Sequence, residues 1–233
     1  MILLIDAGNT AIKLAVSDEH NQPTLIKQVQ LCWSKISLVL YSCVKHSAEL
    51  QAMIDTAQAH GIEVCRAKVS QQLDGLVCGY EHFHNLGIDR WLAVIGAQND
   101  YPNENLVIVD SGTATTIDFV SLDKKHLGGW IIPGLDLMVE SISQRAPDVF
   151  SDSEVGFENI TGTNTPNALH NGCFVSTLGA VVIAQQHFNH YCRVIFTGGY
   201  GFHLHQAMEN TQFDERLIFK GLLVWYVKQA KNN

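Results

Sequence analysis

One internal repeat restricts this chain more than any other feature. Ile5-Asp6-Ala7-Gly8-Asn9-Thr10 lies over Val109-Asp110-Ser111-Gly112-Thr113-Ala114. From position 6 to position 110 the carboxylates stand 104 residues apart, and so do the glycines at 8 and 112. Each copy closes an apolar run and opens an alternating one, so each reads as strand, turn, strand. One such turn alone is often only a hairpin. Two at matching places imply two similar halves, 1–105 and 106–233, with both turns facing a cleft.

The remaining pattern fills out an α/β chain. In the first half, strands are expected at 2–5, 12–16, 24–31, 37–43 and 62–66, and a helix over 47–60 closed by Gly61. A further helix is expected over 91–99, where Asp89 and Arg90 could serve as a cap and a surface ion pair. In the second half, strands are expected at 107–113, 115–120, 127–132 and 193–196. Helices are expected from Pro133-Gly134 to Arg145, from Pro166 to about His190, after Thr197-Gly198-Gly199, and over 221–228. Pro166 suits the first turn of its helix.

Composition removes several function classes. The net charge is −8 and the 15 Lys and Arg form no basic run beyond the pair Lys124-Lys125, which argues against nucleic acid as a partner. Four apolar residues precede Asp6 with no basic segment before them, so neither a signal peptide nor a membrane span is expected there. The six cysteines form no CxxC pair and are expected to be reduced. The histidine pairs 82/84, 187/190 and 203/205 lack the HExxH spacing of a metal site.

A nucleoside triphosphate needs backbone N–H groups at close approach, hence glycine, together with a divalent cation held near carboxylates. Asp6 to Thr10 offers that set once and Asp110 to Thr113 offers it again. Neither GxxxxGK[ST] nor GxGxxG is present, so the P-loop and the dinucleotide fingerprint do not compete. Thr197-Gly198-Gly199, after an apolar strand, is a turn against which a base or ribose could lie.

Taken in order, Asp-x-Gly-Asn-Thr, Asp-x-Gly-Thr and Thr-Gly-Gly resemble the two phosphate motifs and the adenosine motif of the acetate kinase, sugar kinase and actin superfamily. Within it the chain resembles the type III pantothenate kinases, through these motifs, Gly87-Ile88-Asp89-Arg90-Trp91 and Gly128-Gly129-Trp130-Ile131-Ile132-Pro133-Gly134. The resemblance implies a duplicated actin-like (ribonuclease H-like) fold, two mixed-sheet halves around a nucleotide cleft. It also implies ATP-dependent phosphorylation of (R)-pantothenate to 4′-phosphopantothenate, the first step of coenzyme A synthesis, in the cytoplasm. Asp89 then matches the proton acceptor. Asp6, Ala7, Gly8, Asn9, Thr10, Ala11, Ile12, Lys13, Thr113, Gly198 and Gly199 match ATP contacts. Tyr80, Gly87, Ile88, Asp89, Arg90 and Thr165 match the pantothenate pocket, where Arg90 could hold the substrate carboxylate as a fork. Asp110 matches a ligand of K+ or NH4+, and Asp6 stands near Mg2+. The family pattern is a homodimer, with no nucleic acid and no membrane among its partners. Two other readings stay open: a kinase for another small alcohol, and a regulator of the Bvg accessory factor type without kinase activity. Lys125 and His126 acquire no role from the resemblance.

Overall fold

The computed structural model describes residues 1–18 and 22–230. Two compact units are present. The first comprises residues 1–104, 120–128 and the chain from 216 onwards; the second comprises 105–119 and 129–215.

The first unit is built on a mixed five-stranded sheet of order β3-β2-β1-β4-β5. Its strands are β1 (Ile2–Ala7), β2 (Ile12–Ser17), β3 (Pro23–Ile26), β4 (Leu38–Cys43) and β5 (Glu63–Arg66). β2 runs antiparallel to β1, whereas β4 pairs with β1 in parallel, with Asp6 opposite Ser42. Successive side chains alternate between faces. Leu3, Ile5 and Val39 enter a core with Leu50, Met53 and Ala57 of helix α1 (Ala48–Ala59), which Ser47 caps through the Leu50 N–H. Leu4, Leu40 and Asp6 take the other parity, and helices α2 (Ile88–Asp100) and α6 (Leu217–Ala230) pack against β1 and β4.

Strands β8 (Asn105–Ser111), β9 (Ala114–Ser121), β10 (Lys125–Pro133), β11 (Cys192–Thr197) and β12 (Thr211–Phe213) stand in the order β12-β11-β8-β9-β10. Taken from its third strand, this is the order of the first sheet: third, second, first, fourth, fifth. Helices α3 (Leu135–Arg145) and α4 (Thr165–Gln185) pack together in the second unit. Their Leu135, Val139, Leu169 and Phe174 join Val107, Val109 and Ile117 in one core. α4 is long and apolar enough to cross a membrane by length and composition, but half of that stretch is buried, as in a core helix.

Several boundaries differ from expectation. α6 begins at Leu217 rather than at Gly221, because Gly221 is not a helix start but a contact: a Cβ there would collide with the Leu92 carbonyl of α2. Gly96 of α2 meets the Leu217 carbonyl in the same way, so the two helices approach backbone to backbone. α4 stops at Gln185 instead of continuing to His190. β3 ends at Ile26, with a 3-10 turn over Gln28–Gln30 where strand was expected. A small hairpin, β6 (Gln72–Leu73) with β7 (Leu76–Val77), turns on Asp74 and Gly75, both at positive φ, and was not anticipated. All six cysteines are free thiols.

Candidate active site

In the first unit, the turn from Asp6 to Lys13 closes with the Gly8 N–H donating to the Ala11 carbonyl at 3.1 Å. Asn9, Thr10 and Ala11 are exposed there, while Asp6 at the end of β1 is only 7% exposed. The Ser42 hydroxyl donates to Asp6 Oδ1 at 2.8 Å, as the β1–β4 register requires. Burial pushes the Asp6 carboxyl above the ordinary carboxylate range, and the charge of Asp89 pushes the same way; the Ser42 hydroxyl and the Lys13 ammonium oppose them. Lys13 is exposed, directly across the ladder from Asp6.

Asp89 and Arg90 lie inside the first turn of α2, not ahead of it, since the helix opens at Ile88 with Gly87 as its N-cap. Asp89 is partly exposed, and its Oδ1 accepts the Arg90 N–H at 2.8 Å. A carboxylate in a first helical turn is favoured by the helix dipole. Arg90 is 6% exposed, and its Nη1 donates to the Tyr80 hydroxyl at 2.7 Å. A groove of about 500 Å3 runs past Gly87 and Ile88. Its wall includes Cys43 and Val44, and the Val44 N–H donates to the Ala7 carbonyl of the phosphate-type turn. Arg66 and Lys68 also line it, both exposed and, among the described residues, without an ion-pair partner. Nothing in the sequence pattern singled out these two cations. They reach the groove only because β5 lies beside β4.

In the second unit, the parallel register sets Thr197 opposite Asp110. Gly198 follows at φ +86, and a Cβ on it would collide with Asp110 Oδ1 and the Ser111 carbonyl. The Tyr200 N–H donates to that carbonyl at 3.0 Å. The second Asp-x-Gly turn and the Gly-Gly turn are therefore in contact. Gly112 N–H to Ala114 carbonyl closes the former, and the Thr113 carbonyl accepts the Gly134 N–H. Tyr200 donates its hydroxyl to Asp136 Oδ1 at 2.6 Å; burial and that carboxylate push the phenol up to about 12, so it stays protonated. Thr165 stands at the start of α4, next to the Asn164 cap, on a groove with Val149, Gly162 and Leu169. Among the described residues no group of three or more His, Cys, Asp or Glu forms a ready metal cage.

A model of the type III pantothenate kinase family matches residues 2–186. A type III pantothenate kinase of Pseudoalteromonas translucida is 45% identical over 240 residues, covering 100% of this chain and 99% of the relative. One of Colwellia psychrerythraea is 32% identical over 245 residues, covering 95% and 98%. Among solved structures, a conserved protein of Campylobacter jejuni described as a Baf family transcriptional activator superposes with a TM-score of 0.65 at 24% identity, covering 99% of this chain and 100% of that one. The activator of 2-hydroxyisocaproyl-CoA dehydratase from Clostridium difficile, with bound ADPNP, superposes with a TM-score of 0.53 at 12% identity, covering 99% and 96%. At such identities these likenesses speak for the fold alone, which is that of the actin-like ATPases.

Proposed function

The chain belongs to the type III pantothenate kinase family, and on that premise we propose which of its residues carry the reaction. The reaction is transfer of a phosphoryl group from ATP to pantothenate, giving 4′-phosphopantothenate. Asp89 accepts the proton of the primary hydroxyl as the phosphoryl group arrives. The observation that carries this role is the placement of Asp89, partly exposed in the first turn of α2 directly after the groove residues Gly87 and Ile88, with its charge acting on Asp6 of the phosphate-type turn. A general base must stand within reach of the proton it takes. The backbone of Asp6–Lys13 cradles phosphate in the first unit; Thr113, Gly198 and Gly199 contact the nucleotide in the second.

Pantothenate enters the groove along Gly87 and Ile88, whose volume suits a small molecule. Arg90, held by Tyr80, takes its single carboxylate as a fork, and the exposed Arg66 and Lys68 on the groove wall add positive charge for it. Thr165, on its own groove in the second unit, is kept as a substrate contact on the family resemblance alone. Mg2+ commonly binds through one or two carboxylates plus substrate phosphates rather than a protein cage. Asp6 fits that need, being a buried carboxylate offset only by a hydroxyl and a lysine across the ladder. Asp110 Oδ1 and the Ser111 carbonyl, both packed against Gly198, are the hard oxygen donors that K+ or NH4+ prefers. When bound, these cations neutralise charge on the transferring phosphates. We read the protein as a cytoplasmic homodimer, with exposed Val175, Val182 and Ile183 of α4 and Leu137 and Ile142 of α3 as contact surface.

A coupled ADP-release assay tests this reading. Turnover should require pantothenate, ATP and Mg2+, and be faster in K+ than in Na+ alone. Asp89→Ala should lower kcat by roughly 10²–10⁴, the range for a positioned base. A normal rate in that variant would remove Asp89 from the mechanism, and folded protein that turns over no pantothenate would remove the substrate.

A further inference from the structure

β10 begins beside the β6–β7 hairpin, with Lys125 paired in parallel to Val77. This places the next residue, His126, against the chain as it leaves β7 through Cys78, Gly79 and Tyr80. The approach is so close that a Cβ on Gly79 would collide with the His126 carbonyl. The imidazole is 2% exposed. Its Nδ1 lies 3.4 Å from the Gly79 nitrogen and accepts that N–H, which leaves the proton of the neutral ring on Nε2. The ring stacks on Tyr80 at 6.0 Å between centroids and 15° between planes, and Trp91 meets it edge-on at 6.4 Å. Both spacings are within the range of favourable ring pairs.

Tyr80 in turn holds Arg90. The guanidinium carbon sits 5.5 Å from the Tyr80 ring centroid, and Nη1 donates to the Tyr80 hydroxyl at 2.7 Å. An arginine side chain has several rotatable bonds, and its fork is useful only when aimed. His126, Tyr80 and Arg90 thus form a continuous chain of contacts that ends one residue from Asp89.

We propose that His126 is a positioning residue for pantothenate, fixing Tyr80 through the Gly79 N–H and the ring stack, and through Tyr80 the guanidinium of Arg90. It touches no substrate itself. The inference rests on the reading of Tyr80 and Arg90 as substrate contacts.

The test is a double-mutant cycle with His126→Phe and Arg90→Gln, read by steady-state kinetics and thermal unfolding. His126→Phe keeps a ring but loses the acceptor. It should raise KM for pantothenate roughly tenfold, about the net worth of one hydrogen bond, and leave kcat and KM for ATP within about twofold. Combined with Arg90→Gln it should add no further rise. Should His126→Phe not fold, His126→Asn, which keeps an acceptor and loses the ring, should show the same selective rise. An unchanged KM for pantothenate in folded protein overturns the proposal. So does a lower Tm with both KM values raised in both backgrounds, which is the mark of a merely structural residue. Arg90→Gln without effect on KM for pantothenate would instead remove the underlying reading of Tyr80 and Arg90, and the inference with it.

Discussion

Asp6 is held at odds with its own stability. It is buried, and its folded-state pKa lies above its unfolded value. The folded chain therefore binds more protons than the unfolded chain between those two values. The contribution of Asp6 to stability is fully present below the unfolded pKa and is lost as pH rises through the folded pKa. Asp6→Asn keeps an acceptor for the Ser42 hydroxyl and removes the buried charge. In the absence of nucleotide at neutral pH it should raise Tm, by roughly 2–4 °C for each kcal/mol regained. The gain should shrink as pH falls through the folded pKa of Asp6 in the unsubstituted protein, while kinase activity is lost. Thermal melts across pH settle this; a lower Tm at neutral pH would show that Asp6 is not a destabilising charge. Asp6 stood out in the sequence because the Asp-x-Gly turn after an apolar run recurs at Asp110. Its partner Ser42 did not, since a serine 36 residues away becomes relevant only through the β1–β4 register.

Among elements, the β11-to-α5 turn (α5, Gly201–Gln206) shows how a site can depend on a missing side chain. Gly198 sits at positive φ against Asp110 and Ser111. Gly198→Ala should cost about 1–2 kcal/mol for the left-handed backbone, more once Asp110 is displaced, and raise KM for ATP above its effect on pantothenate. At Gly199 a Cβ meets nothing within 4 Å, so Gly199→Ala should melt like the unsubstituted protein. Any rise in its KM for ATP then reports the approach of nucleotide alone. Equal melts for both variants would sink the strain argument. The same physics explains the misplaced start of α6. Glycine is a poor helix former, so Gly221 read as a boundary. In the structure it lies within the helix, because contact with α2 requires a bare backbone there.

For the whole molecule, the repeated turn is the trace of a repeated sheet: both sheets contain the order third, second, first, fourth, fifth strand. Along α4, Gly172, Val175, Ser176, Gly179, Val182 and Ile183 are all exposed at helical spacing. That leaves one small and apolar face of α4 outward, and Leu137 and Ile142 of α3, which packs with α4, are exposed as well. Light scattering should give twice the 25.8 kDa chain mass, and Val182→Glu with Ile183→Glu should return the monomer. A monomer for the unsubstituted chain at assay concentration would refute the dimer.

What the sequence determined by itself was whatever depends on local chemistry: the apolar periods of strands and helices, and the Asp-x-Gly turns and their duplication. Those signals are short-range, so they survive without knowledge of the fold. The sequence could not determine which distant residues share a register. Ser42 beneath Asp6, Arg66 and Lys68 beside Gly87, and His126 behind Tyr80 each arise from strand pairing between segments far apart in the chain. A strand's partner is chosen by the burial of the whole sheet, not by the residues flanking the contact. Only the tertiary structure made that choice, and with it the surroundings of Asp6, Asp89 and Arg90.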